Sequence, residues 1–133
     1  MNTAMQAPLQ EIGNLMADIV GGNPDGAFLY AEVEPGAISW GVFIDRGEDI
    51  EYFYMSDRLD DALVSLWRAA GPGKEWSGLA YAIVQGAMDV QFYYEDGWKE
   101  DEVYFDRSER ILAGRYGDKP IKYPPPPLGT IEL

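Results

Sequence analysis

Carboxylates are the side chains in this sequence that could do chemistry. The chain has 23 Asp and Glu against ten Lys and Arg, a formal charge of −13, and no His or Cys. Asp45, Glu48, Asp49 and Glu51 could offer oxygen ligands to a hard cation such as calcium. Their spacing does not fit the EF-hand loop, and the segment from Glu95 to Glu102 fails the same comparison. We therefore expect no metal site.

Catalysis is disfavoured by the missing residue types. Without His or Cys, a general base would have to be a carboxylate or lysine retuned by burial, and no thiolate nucleophile exists. A glycosidase-like carboxylate pair remains open on composition, although surplus acids are usually solvated. The glycines form neither a P-loop nor a dinucleotide fingerprint. We expect neither a cofactor nor catalytic residues, and predict that the chain is not an enzyme.

Two stretches combine acids with aromatic residues, a composition typical of protein interfaces. They run over residues 45–61 and 93–106. The predicted partner-binding residues in them are Tyr52, Tyr54, Tyr93, Glu95, Asp96, Trp98, Glu100, Asp101 and Glu102.

The exposure of these aromatic residues is left open by the sequence. Tyr52, Tyr54, Tyr93 and Tyr94 lie in predicted strands, where one face alone can be core. Trp98 lies in a polar loop, where it is either an exposed anchor or a lid folded back on the core; we favour the anchor. Phe53, Phe92, Trp40 and Trp67 are expected in the core from their periodicity.

Periodicity predicts the element order α-β-β-β-α-β-β-α. The predicted helices cover residues 7–20, a segment from the N-cap Asp57 to Gly71, and one from Asp106 or Ser108 to Gly117. The predicted strands cover residues 27–34, 38–44, 50–55, 79–85 and 89–95. Short links between strands indicate an α+β domain with a mainly antiparallel five-stranded sheet, helices packed on one face, and the other face partly exposed.

The length suits a single domain over residues 1–133, with a core of about 7–117 and a proline-rich tail at 118–133. The run Pro124 to Pro127 is compatible with polyproline II. The first residues lack a signal-peptide pattern, no segment is apolar enough to span a membrane, and Cys is absent, so we expect a cytoplasmic protein. The negative charge disfavours binding to nucleic acid or to anionic membranes.

Several short motifs resemble the YezG-like immunity proteins of bacterial polymorphic toxin systems. They are Leu9-Gln10-Glu11-Ile12, Phe28-Leu29-Tyr30-Ala31-Glu32-Val33, Trp76-Ser77-Gly78-Leu79, Val90-Gln91-Phe92-Tyr93-Tyr94-Glu95-Asp96 and Glu109-Arg110. The resemblance covers Leu9 to about Tyr116. It implies a small cytosolic antitoxin of the kind also found in contact-dependent inhibition, without catalytic motifs, that neutralises a toxin domain, often a nuclease.

Charge and resemblance together predict an immunity protein that occludes the basic substrate-binding surface of a cognate toxin, most simply a nuclease. The alternative is an acidic mimic of nucleic acid that regulates a cellular DNA- or RNA-binding protein. An enzyme is the third possibility. The oligomeric state is left open by the sequence.

Overall fold

The computed structural model describes residues 3–54, 56–95, 98 and 101–123. Within these residues, three α-helices and six strands follow a short 3-10 turn at Thr3–Met5. The elements in chain order are α1 (Gln6–Val20), β1 (Phe28–Glu34), β2 (Ala37–Asp45), β3 (Ile50–Phe53), α2 (Asp57–Ala69), β4 (Gly78–Val84), β5 (Ala87–Tyr93), α3 (Tyr104–Tyr116) and β6 (Ile121–Lys122). The α+β class and the order of the first eight of these elements agree with the prediction. None of the helices in the described parts of the chain is long and apolar enough to cross a lipid bilayer.

The strands form one mixed sheet in the order β5-β4-β1-β2-β3-β6. The neighbouring strands pair antiparallel except β3 and β6, which are parallel. The prediction of five strands is therefore wrong by one. The additional strand, β6, lies within the segment expected to be a tail, where Ile121 pairs with Ile50.

The first hydrophobic core lies between the sheet and helices α1 and α2. Leu29, Ala31 and Val33 point into it from β1, because alternate residues of a strand share one face. The apolar stripe of α1 and the Leu-rich stripe of α2 cover these strand residues. Trp40, Phe53, Trp67 and Phe92, expected in the core, are partly buried and pack against this cluster.

A second core occupies the opposite face of the sheet, under α3. Phe28 and Tyr30 of β1, Phe43 of β2 and Ile50 of β3 meet Leu112 of α3 there. The expectation that all helices pack on one face is therefore wrong for α3. Strand β1 is consequently buried on both faces, which explains its almost continuous apolar sequence.

The helix starts differ from the predicted positions. Ser56, not Asp57, caps α2: its Oγ accepts the Leu59 N–H at 3.2 Å. Helix α3 begins at Tyr104, and the Asp106 carboxylate accepts the Val103 N–H at 3.5 Å. Acidic residues therefore stabilise the first turns from within the helices rather than from the cap position. Gly117, with φ of 65°, ends α3 as expected.

Candidate partner-binding surface

The two aromatic and acidic stretches meet on the α3 side of the sheet. Tyr52 of β3, Tyr93 of β5 and Tyr104 of α3 all pack against the second core. Tyr104 also lines two neighbouring clefts, one on each side of the first turn of α3. The first turn of α3 therefore connects the two aromatic and acidic stretches, residues 45–61 and 93–106.

A buried ion pair between Glu32 and Arg107 lies in the wall of the cleft that Trp98 also lines. The Arg107 guanidinium donates to both carboxylate oxygens of Glu32, with Nε···Oε2 at 2.7 Å and Nη2···Oε1 at 2.6 Å. Arg107 is 7% exposed and Glu32 9%. The Tyr30 hydroxyl donates to the same carboxylate, and Arg107 Nη1 donates to the Glu102 carbonyl at 2.6 Å. The contacts link β1, α3 and the chain segment before α3.

Trp98 covers this ion pair. The Arg107 guanidinium carbon lies 3.8 Å from the centre of its ring, a cation–π contact, and Trp98 is partly buried. On the other side, a Cβ built on Gly78 would lie 3.3 Å from Trp98 Cζ2. The favoured expectation of an exposed anchor is therefore wrong: Trp98 is partly buried and folded back on the domain.

Carboxylates surround the cleft beside Trp98, which has a volume of about 290 Å³. Glu34 and Glu95 line it and are exposed, and neither forms an ion pair with a described residue. Glu102 lines it too and is paired with Arg110. Asp101 is exposed in the turn that precedes α3. We call the three cleft residues Glu34, Glu95 and Glu102, together with Asp101 in the adjacent turn, the acidic rim. The predicted residues Asp96 and Glu100 lie outside the described residues.

The predicted tyrosines differ in exposure. Tyr93 is partly buried, with its ring edge-on to Tyr30 at 6.3 Å, while its neighbour Tyr94 is 50% exposed. Tyr52 stacks on Tyr54 at 5.5 Å, and Tyr54 is 48% exposed. Tyr52 and Tyr93 therefore contribute to packing as well as to the surface, and Tyr54 is available for contacts.

Burial raises the pKa of several tyrosines on this face. The pKa of Tyr30 is raised first by burial and then by its hydrogen bond to Glu32. Burial raises the pKa of Tyr104 to about 12. The hydrogen bonds to Glu32 raise the pKa of Arg107, which stays charged. Near neutral pH the Tyr30 phenol is therefore neutral, and both Glu32 oxygens accept hydrogen bonds.

In the described part of the chain, no group of three or more acids is placed to hold a metal ion. The arrangement instead presents acids around partly buried aromatic rings, which is the composition of a protein-binding surface. Sequence reasoning missed Tyr30, Glu32, Tyr104 and Arg107. One signal was present in the sequence. Glu32 lies on the same face of β1 as Phe28 and Tyr30, and a carboxylate buried on an apolar face needs a partner of opposite charge.

The geometry of this surface stands without support from known relatives. Comparison of the sequence with protein-family models and with curated proteins finds no match.

Proposed function

We propose that this chain is an immunity protein that binds a toxin domain, a nuclease, and blocks its basic substrate-binding surface. The observation that carries the proposal is the acidic rim: Glu34, Glu95 and Glu102 line one cleft with Trp98, and Arg107 binds the Glu102 carbonyl. The motifs that resemble YezG-like immunity proteins support the same reading.

Charge supplies the selectivity for a basic partner. The chain carries −13, and Glu34, Glu95 and Asp101 are exposed on the side of α3. Complementary charge accelerates encounter and disfavours wrong partners. A nuclease surface that binds phosphates is rich in Lys and Arg, so carboxylates can occupy it in place of nucleic acid.

Preorganisation supplies the affinity. Trp98 is fixed between Arg107 and Gly78, and Glu102 is held by Arg107 through its carbonyl. A surface that is already ordered loses less conformational entropy on binding. In this proposal Trp98, Tyr93, Tyr52 and Tyr54 provide apolar contact area.

The acids of the proposed interface are Glu95, Asp101 and Glu102, together with the residues predicted from the sequence, Asp96 and Glu100. Inhibition is steric and electrostatic and involves no covalent step. The protein acts in the cytoplasm of the cell that makes the toxin.

Co-expression with the toxin domain encoded beside this gene tests the proposal. We expect cells to survive induction of the toxin when this protein is present, and the purified protein to bind a catalytically inactive toxin. Nucleic acid should compete with this protein for the toxin. If cells die equally fast with and without it for every adjacent candidate, the proposal is wrong. Capture of a housekeeping nucleic-acid-binding protein instead would favour the acidic-mimic alternative.

A further inference from the structure

A second groove, of about 390 Å³, lies between α3 and the β3–β6 edge of the sheet. Its lining is mainly apolar and aromatic and includes Phe43, Tyr52, Tyr104, Leu112 and Tyr123. Two charged groups line it: Lys119, which is paired with Asp45 at 2.9 Å, and Glu109, which is exposed at the helix surface. The groove therefore suits an apolar occupant better than a charged one.

Exposed aromatic rings gather at this groove. Phe105 is 63% exposed and Tyr123 62%, and both line it. Tyr54, 48% exposed, stacks on the lining residue Tyr52. Single exposed apolar residues are ordinary, but three adjacent aromatic residues form a patch of the kind that marks an interaction site.

Strand β6 leads the chain directly to this patch. Ile121 and Lys122 pair in parallel with Ile50 and Glu51. The ring of the next residue, Tyr123, meets Tyr52 at 5.1 Å in an edge-on contact. The residues that follow, 124–128, read Pro-Pro-Pro-Pro-Leu, and we call them the proline segment; they lie outside the described residues.

We propose that the proline segment binds in the aromatic groove of its own chain. Proline has no N–H, so this segment cannot extend the β3–β6 ladder by donating hydrogen bonds. Its fixed φ favours polyproline II, which loses little entropy on binding and docks on grooves lined by aromatic side chains. The parallel register of β6 directs the chain along β3, toward Tyr54.

The proline segment is favoured over a separate ligand because it is covalently joined to Tyr123, which lines the groove. A ligand joined directly to a lining residue has an effective concentration in the millimolar range, so even weak contacts suffice. The proposal does not depend on a toxin. It does imply that Tyr52 and Tyr54 are covered in the isolated protein, and that a partner using them must displace the proline segment or pack on it.

Nuclear magnetic resonance of the isotope-labelled full chain tests the inference. We expect cross-relaxation peaks between proline ring protons of the segment and the ring protons of Tyr54 and Phe105. Phe105→Ala should weaken the peaks to Tyr54, which do not depend on the deleted ring, and lower the heteronuclear NOE of the Gly129 and Thr130 amides. Val84→Ala, which truncates an apolar side chain of β4 that is 46% exposed and does not line the groove, should change neither.

Three results would overturn the inference. The first is a folded chain without proline–aromatic peaks. The second is a set of proline–Tyr54 peaks that persists unchanged in Phe105→Ala. The third is a set that fades on dilution or appears in a mixture of labelled and unlabelled protein, because the occupant would then be the segment of a second copy.

Discussion

The Arg107 guanidinium in α3 binds both carboxylate oxygens of Glu32 in β1, at 2.6 and 2.7 Å. The two residues stand far apart in sequence and belong to different layers of the domain. Because Arg107 also holds the Glu102 carbonyl and lies against Trp98, one side chain fixes α3 to the sheet and the proposed binding surface to α3. Bidentate geometry makes this contact specific to arginine.

Arg107→Met should lower the free energy of unfolding by about 3–5 kcal/mol, because it leaves the Glu32 charge buried without a partner. Urea denaturation measures this. The double variant Glu32→Met with Arg107→Met should recover most of the loss, since it removes both charges. Equal destabilisation in the single and double variants would show that lost packing, and not the unpaired charge, sets the cost.

Alkaline pH should destabilise the fold through its buried phenols. The pKa of Tyr104 is about 12 in the folded chain, against about 10 for an ordinary tyrosine. Above pH 10 the unfolded chain therefore releases protons that the folded chain retains, and stability falls as pH rises from about 10 to 12. Urea unfolding across this range should show a shallower decline for Tyr104→Phe than for the parent. An identical decline would contradict the assignment.

Two glycine substitutions should act in opposite directions. A Cβ on Gly41 would lie 2.6 Å from Tyr52 Cε2, so Gly41→Ala should displace that ring and cost about 1–3 kcal/mol. Gly114, within α3, has no neighbour in the path of a Cβ, so Gly114→Ala should stabilise by up to about 1 kcal/mol. Thermal unfolding of both variants gives the comparison. A neutral Gly41→Ala would mean that Tyr52 has room to move.

Trp98→Ala should weaken the toxin complex by about 2 kcal/mol or more, because it removes aromatic contact area from the proposed interface and uncovers the Arg107 contact beneath it. It should also reduce the stability of the isolated chain by about 1–2 kcal/mol, because the cation–π contact is lost and Arg107 is uncovered. Calorimetry measures the first quantity and urea unfolding the second. Trp98→Phe, which keeps an aromatic ring, should lose less of both. Unchanged affinity with an intact fold would remove Trp98 from the interface.

Neutralising two exposed acids near Trp98 should slow association. We expect Glu95→Gln with Asp101→Asn to lower the association rate several-fold and to change dissociation little, since peripheral charges act mainly on encounter. Asp18→Asn with Asp61→Asn removes the same charge from exposed positions on α1 and α2, across the sheet, and should have a smaller effect. The parent rate should fall as salt rises. Equal slowing by both pairs would mean that net charge alone matters.

Local periodicity was enough to predict most elements. Ile38, Trp40, Val42 and Ile44 alternate along β2, and all four lie in or against the core beneath α1 and α2; Gly117 ends α3 as expected. These signals lie within a few residues of the features that they specify.

Long-range pairing escaped prediction for the same reason. Strand β6 has two residues, and what makes it a strand is Ile50, which pairs with Ile121 and whose N–H donates to Pro120 at 2.8 Å. The side of the sheet that α3 covers depends on Tyr30 and Phe43, which belong to other segments. Likewise, the position of Trp98 depends on its contacts with Arg107 and Gly78, and the composition of the loop around Trp98 does not reveal these contacts.

The position of β1 in the sheet bears on how the protein is made. Strand β1 pairs with β2 soon after synthesis, but its other neighbour, β4, follows about fifty residues later, a long-range closure that slows folding. Until β4 emerges from the ribosome, the apolar edge from Phe28 to Val33 is unprotected. Chains truncated before Gly78 are therefore expected to aggregate, whatever the net charge of the finished domain.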